Sequence, residues 1–340
     1  MFQKTSPIIF IWIGKNFPKW GFKSLELCCL NNKKRKVILL HDYCLNKNKI
    51  LNNIKINNLV FNSFTFNKYS FINQSKETFK DKFWLNTSLR LEVLYLYIIK
   101  NNIRSFFHAE LDNVLFDLDD LDNKFNEYGE GIFVPRDSAE RAIGSLLYCN
   151  RSKSLQEILS LYKPPYKAKN DMNAFGLYAK KSKSFFSLPT ESFKENLKEF
   201  KIINPEYTEG LFDAASIGQY CFGIDPRISR YKPTKNLFIN ENSKIDFRSL
   251  EIFVNDFGVF IKVHSNSKKF KIYNMHIHSK DFRIVKNFLN KKSIFYSIQK
   301  KEKVIITGRH KIIFGNLIEI LDHLKIKIKK LINFIYANLF

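Results

Sequence analysis

The chain has 340 residues, 45% of them hydrophobic and 15% aromatic, which excludes wholesale disorder and is enough for one large α/β domain with an appendage. Lys and Arg number 56 against 32 Asp and Glu, a net charge of +24. That field favours anionic partners such as phosphorylated small molecules, nucleic acid or an anionic membrane face, although a Lys- and Asn-rich composition raises the charge without any partner. The five cysteines (Cys28, Cys29, Cys44, Cys149, Cys221) show no CxxC spacing and read as reduced core thiols. The opening apolar run, Pro7 to Ile13, is too short for a signal peptide or a bilayer span, so a soluble, cytoplasmic protein is expected.

PIIFIWI (7–13) predicts a buried strand ended by Gly14, followed by a helix near 18–31 and a second strand, KVILLHD (36–42). Residues 46–56 read as a loop or weak helix. WLNTSLRLEVLYLYIIKNN (84–102) places Leu85, Leu89, Val93 and Leu96 at helical spacing. SFFHAE, GIFVPRD (131–137) and AIGSLLYCN (142–150) read as further strands. SLQEILSLY and NDMNAFGLYAKK read as helices on either side of Pro164-Pro165, and residues 257–280 as a β-hairpin turning at 265–268. Strands alternating with helices predict an α/β fold with a mostly parallel sheet, in one domain of catalytic size spanning 1–285. Residues 286–340 read as a basic helical extension whose end, from His323, suits either peripheral contact with an anionic inner membrane face or packing on the domain.

Five groups of residues can carry chemistry. In SFFHAELDN, His108, Glu110 and Asp112 alternate at the end of an apolar strand, and the two carboxylates suit Mg²⁺ or Mn²⁺, or simply face water. Trp12 offers a surface on which a base can stack, or a core aromatic, and Gly14 admits close backbone approach. Arg90 can make bidentate contacts to a pyrophosphate or stand solvated on its helix. MHIHSK brings His276 and His278 to strand spacing with Lys280 two residues on, a metal and phosphate pattern. In EGLFDAASIGQYCFGIDPR (209–227), Glu209, Asp213, Gln219 and Asp225 punctuate small residues, with Gly218 and Gly223 at close-approach positions.

In this order these segments resemble the GT-A glycosyltransferases, with their Rossmann-like sheet and DxD motif. IWIG resembles the strand end that holds the nucleotide base, TSLRLEVLYLYI the helix whose Arg faces the donor, and FFHAELDNVLF the DxD segment, here with Glu first. The resemblance implies a metal-dependent hexosyltransferase-like enzyme that uses a nucleotide-diphosphate sugar and Mn²⁺ or Mg²⁺ in polysaccharide or glycan biosynthesis. Its acceptor would be a glycan, a polysaccharide or a lipid-linked molecule, and no nucleic acid is expected. It assigns Trp12, Gly14, Arg90 and Lys280 to the donor, Glu110, Asp112 and His278 to the metal, and Asp213 and Gln219 to catalysis at the acceptor or sugar. Two other readings compete. A basic nucleic-acid-binding protein lacks any zinc-finger or RNP pattern here, and a metallohydrolase built on HxH needs further ligands such as His41, His108 or His264.

Overall fold

The computed structural model describes residues 5–14, 17–42, 59–64, 83–191, 202–222, 251–255, 258–262, 269–282 and 285. Cys44, the loop or weak helix at 46–56, Gly223, Asp225, His264, the hairpin turn and the extension beyond 285 lie outside them.

Successive β1 residues face opposite sides of the sheet, and that alternation organises the core. β1 (Ile8–Trp12) is followed by α1 (Lys19–Asn31), β2 (Val37–Asp42), β3 (Leu59–Phe64), α2 (Phe83–Lys100), β4 (Phe106–Ala109) and β5 (Asn113–Leu115). Then come α3 (Leu121–Tyr128), β6 (Ile132–Pro135), β7 (Leu146–Cys149), α4 (Ser152–Ser160), α5 (Asp171–Lys181) and β8 (Phe185–Leu188). The described chain continues through α6 (Pro205–Thr208), β9 (Gly210–Leu211), α7 (Ser216–Phe222), β10 (Glu251–Asn255), β11 (Gly258–Lys262), β12 (Lys269–Ile272) and β13 (Asn274–His276).

Seven strands form the main sheet in the order β3-β2-β1-β4-β7-β6-β8. Every neighbouring pair is parallel except those that β7 makes with β4 and β6. The expected Rossmann-like α/β architecture is therefore present, with the 3-2-1-4 parallel run on one side and a single reversed strand inside the sheet. Ile8 and Phe10 face α1, β5 and α3 in one apolar cluster, while Ile9 and Ile11 face α2, α4 and α5 in another. The expected hairpin is β11 with β12, inside a second sheet of order β10-β11-β12-β9.

Two local expectations shift. Leu96 is 50% exposed, and Leu91, Leu94 and Ile98 complete the buried face of α2 instead. At about 100° per residue Leu96 points roughly opposite to Leu94, which the sheet covers. Only Leu146–Cys149 of the 142–150 segment joins the sheet; Ala142 makes an isolated bridge to Arg136. Cys28, Cys29, Cys149 and Cys221 are buried and form no disulfide, as the composition suggested. No helix among the described residues is long and apolar enough to cross a membrane.

Candidate metal and nucleotide site

Ligands of open α/β sheets bind beyond the carboxyl ends of the strands, and those ends here carry a cluster of acids with a histidine. β1 ends at Trp12 and turns at Gly14, whose φ of 140° belongs to a region that residues with a Cβ seldom enter. The Gly14 N–H donates to Asp42 Oδ2 at 2.8 Å, tying the end of β1 to the end of β2. The Trp12 indole packs edge-on against Phe17 at 5.5 Å, and its buried Nε1 has no hydrogen-bond partner.

Beyond β4 the chain makes a tight turn, closed by the Asn113 N–H donating to Glu110 O at 3.0 Å. The turn feeds β5, which pairs antiparallel with β13 so that Asn113 lies opposite His276. The Ile277 N–H donates to Asp112 O at 2.7 Å and prolongs the pairing. Residues 110–112 and 276 thereby meet although more than half the described chain separates them.

His276 Nε2 lies 3.2 Å from Asp112 Oδ2 and 3.6 Å from Glu110 Oε2. One ligand atom from each of the three residues falls within 4.8 Å of the others. Their side chains are 16%, 14% and 9% exposed for Glu110, Asp112 and His276, so the cluster is sheltered but reachable. Lys280 donates to Asp112 Oδ2, and Arg90 donates to Glu110 Oε1. Lys280 adopts a left-handed φ of 58°, a strained backbone state for a non-glycine residue, of a kind found at functional sites.

The charges have identifiable effects. Burial alone would raise the Asp112 carboxyl, but Lys280 and His276 hold it well below the usual carboxylate range. Burial would lower the His276 imidazole, and Asp112 with Glu110 instead raise it. Arg90 is held protonated against its own desolvation by Glu110 and by Asp171, whose Oδ2 is 4.0 Å away. Burial pushes Asp171 up to about 6, and its Oδ1 is buried without a hydrogen-bond partner.

This donor set fits a hard divalent cation with a borderline nitrogen ligand: two carboxylates and an imidazole converge, and the Lys280 ammonium already supplies positive charge at Asp112. The histidine that lies with Glu110 and Asp112 is His276, whereas His278 is the one expected there. β13 ends at His276, after which the chain turns, so period-two alternation no longer carries His278 onto the same face. The two imidazoles remain neighbours, with centroids 4.4 Å apart, and Gln219 Nε2 lies 3.1 Å from His278 Nε2.

Asp213 takes a different position from the one the resemblance implied. It is fully buried, and its oxygens accept the N–H groups of Ile217 (2.9 Å), Gly218 (2.8 Å) and His276 (2.8 Å). It braces the start of α7 against β13, so its carboxylate is committed to main-chain donors and not directed at an acceptor. Gly218 permits that contact, because a Cβ there would come 2.1 Å from His276 O. Buried Asn274 extends the brace, donating to Asn113 Oδ1 and Asp213 O, both at 3.1 Å.

His108 is also structural. Its Nδ1 lies 2.9 Å from Ile9 O, and burial lowers its imidazole to about 4. His41 likewise turns to the main chain, with Nδ1 2.7 Å from Asp42 O. Neither joins the cluster, as the metallohydrolase reading requires.

Sequence reasoning missed Asp42, Asp171, Asn113 and Asn274. Asp42 carried a usable signal, since an acid closing the second parallel strand lies at the crevice. The others are brought in by tertiary pairing and left no local pattern.

No family model matches the sequence, and no curated protein does. Among solved structures the chain is similar to mouse xyloside xylosyltransferase 1 in its apo form (9% identity, 58% of this chain and 94% of that chain, TM-score 0.37). It is also similar to the galactosyltransferase LgtC in complex with donor and acceptor sugar analogs (10% identity, 59% and 81%, TM-score 0.36). A cytidylyltransferase from Leptospira borgpetersenii serovar Hardjo-bovis scores alike (15% identity, 56% and 77%, TM-score 0.36). Glycosyltransferases are thus among the structures this chain resembles, at scores too low to replace an argument from its own residues.

Proposed function

We propose that the chain transfers a sugar from a nucleoside-diphosphate sugar to a hydroxyl of a glycan, polysaccharide or lipid-linked acceptor. The observation that carries this reading is the meeting of Glu110, Asp112 and His276 beside Lys280 at the carboxyl end of the parallel strands. In such a transfer the bond between the anomeric carbon and the phosphate oxygen breaks and the acceptor oxygen takes its place. The acceptor proton passes to water, and a nucleoside diphosphate leaves with growing negative charge. A divalent cation held by Asp112, His276 and Glu110, Mn²⁺ or Mg²⁺ by its ligand chemistry, would supply positive charge to that diphosphate.

The chain's own groups do the rest. The Lys280 ammonium, now on Asp112, is placed to turn to the leaving phosphate, where fixed positive charge is worth most in a sheltered site. Arg90 neutralises one oxygen of Glu110 and is itself backed by Asp171, so Glu110 keeps its other oxygen towards His276. Trp12 and Gly14 form the rim on which the base and ribose would lie, next to Asp42. Gln219 orients His278 beside the cluster, and Asp213 fixes the strand that carries His276. This assigns Asp213 to positioning and leaves the acceptor side to other groups.

A screen of UDP- and GDP-sugars with Mn²⁺, reading release of nucleoside diphosphate, tests the reading. Turnover of at least one donor, abolished by chelation, is the expected result. Absence of turnover together with absence of nucleotide binding would overturn it.

A further inference from the structure

The loop between α4 and α5, with the far end of α5, forms a basic face that glycosyl transfer does not use. Lys163, Lys167, Lys169, Lys180, Lys181 and Lys183 are all exposed, and the one acid between residues 161 and 183, Asp171, is buried. Lys180 pairs with Glu140 at 2.5 Å.

The loop is built rather than slack. The N–H groups of Tyr166 and Lys167 donate to Lys163 O at 3.1 and 3.2 Å, and the Ala168 N–H donates to Leu161 O at 2.8 Å. Its tip, Pro164, Pro165 and Tyr166, is exposed, with Tyr166 44% accessible. Lys181 Nζ sits 3.2 Å from the Tyr166 ring centroid, so the loop lies against the end of α5 and the two lysine groups make one surface.

We propose that this face docks the protein on an anionic membrane surface. Clustered like charges repel one another, and an anionic plane relieves that repulsion. The tip distinguishes a bilayer from a dissolved polyanion. Lysines alone serve either, but a projecting Pro-Pro-Tyr edge ringed by lysines matches the interfacial zone, where Tyr lies at headgroup level and Lys reaches the phosphates. The loop runs directly into Asp171, 4.0 Å from Arg90, so docking here holds the crevice close to the lipid surface. The inference does not depend on the glycosyl-transfer reading, because its test measures binding alone.

The experiment is flotation of the full chain with vesicles of phosphatidylglycerol and phosphatidylcholine, and with phosphatidylcholine alone. Each lysine near an anionic surface contributes about fivefold to partitioning. The quadruple variant K163Q, K167Q, K169Q and K181Q should therefore lower binding by roughly six-hundredfold. A control of equal charge change on other exposed lysines, K33Q, K36Q, K100Q and K153Q, should retain most of it. Tyr166→Ser should give a smaller loss that persists as salt screens the lysines. Thermal melts of each variant establish that the fold is intact. Equal loss in both quadruple variants, retained binding in the loop variant, or no vesicle binding by the natural chain would overturn the proposal. So would a loop variant that loses single-stranded RNA while the natural chain ignores vesicles, since the face would then serve a nucleic acid.

Discussion

A fully buried arginine, Arg35, and a partly buried one, Arg90, sit at opposite ends of the same sheet, and they differ in how they are held. Arg35, 1% exposed, donates to the main-chain oxygens of Ser6 (3.0 Å) and Leu118 (2.6 Å) and to Asp122 (2.6 Å), with its guanidinium 5.0 Å from the Phe107 ring centroid. It ties the start of β1 to the loop before α3 through two main-chain oxygens as well as Asp122, with Asp119 Oδ1 4.0 Å from its Nε. Arg90 is held by carboxylates, Glu110 and the more distant Asp171, in a chain of side-chain charges that continues through His276 and Asp112 to Lys280. Backbone acceptors make a charge part of the fold. Side-chain acceptors that are themselves charged leave it exchangeable, and an exchangeable charge can meet a ligand.

Breaking the Arg35 brace should have the largest effect. Arg35→Leu strands Asp122 and two carbonyls, and loss of one partner from a buried pair costs about 3–5 kcal/mol. Denaturant unfolding should show that loss while Mn²⁺ affinity, measured on the folded fraction, stays unchanged. A variant of natural stability would place Arg35 among the dispensable surface charges.

Asn274→Ala probes the link between the two kinds of region, because Asn274 is backbone-braced yet supports the crevice. Removing a group that orients metal ligands typically costs 10–100-fold in affinity, and the buried hydrogen bonds lost cost about 1–3 kcal/mol. Calorimetric Mn²⁺ titration should therefore weaken out of proportion to the fall in stability. Proportional or absent weakening would make the Asn113–Asn274–Asp213 network a matter of folding only.

The smallest effect concerns Glu191, which burial, with Asp213 adding repulsion, pushes up to about 8. The folded chain then keeps a proton that the unfolded chain releases near its ordinary value of 4.5. Stability is accordingly highest below that value and declines as pH rises towards 8. Glu191→Gln should flatten this decline by at least about 1.4 kcal/mol, one pKa unit, in melts compared at pH 5 and pH 8. An unchanged slope in the variant would show that Glu191 is ionised in the native fold.

Much of the sheet was legible because its strands are apolar runs closed by Gly14, Asp42 or Glu110, each stop marking a strand end. α2 was legible from its period, but Leu96 misled because a stripe of four leucine and valine positions fits two neighbouring faces of one helix. In the site, Glu110, Asp112, Lys280 and Arg90 announced themselves by residue type at strand or helix ends. The choice between His276 and His278 did not, since it depends on where β13 stops pairing with β5. Asp213 read as reactive because an acid among small residues suggests a pocket. Those small residues instead let α7 approach closely enough for its N–H groups to take both carboxylate oxygens.

The central claim is that the crevice binds a nucleoside diphosphate through a cation held at Asp112. Thermal melts of the natural chain and of Asp112→Asn, each with UDP or GDP and Mn²⁺ together and separately, test it most directly. Ligand at a hundredfold excess over Kd contributes about 2.7 kcal/mol, roughly 5 °C in Tm. The account predicts that shift for the natural chain only when nucleotide and Mn²⁺ are both present, and none for Asp112→Asn. An equal shift in the variant, or no shift in the natural chain with either nucleotide, would contradict it.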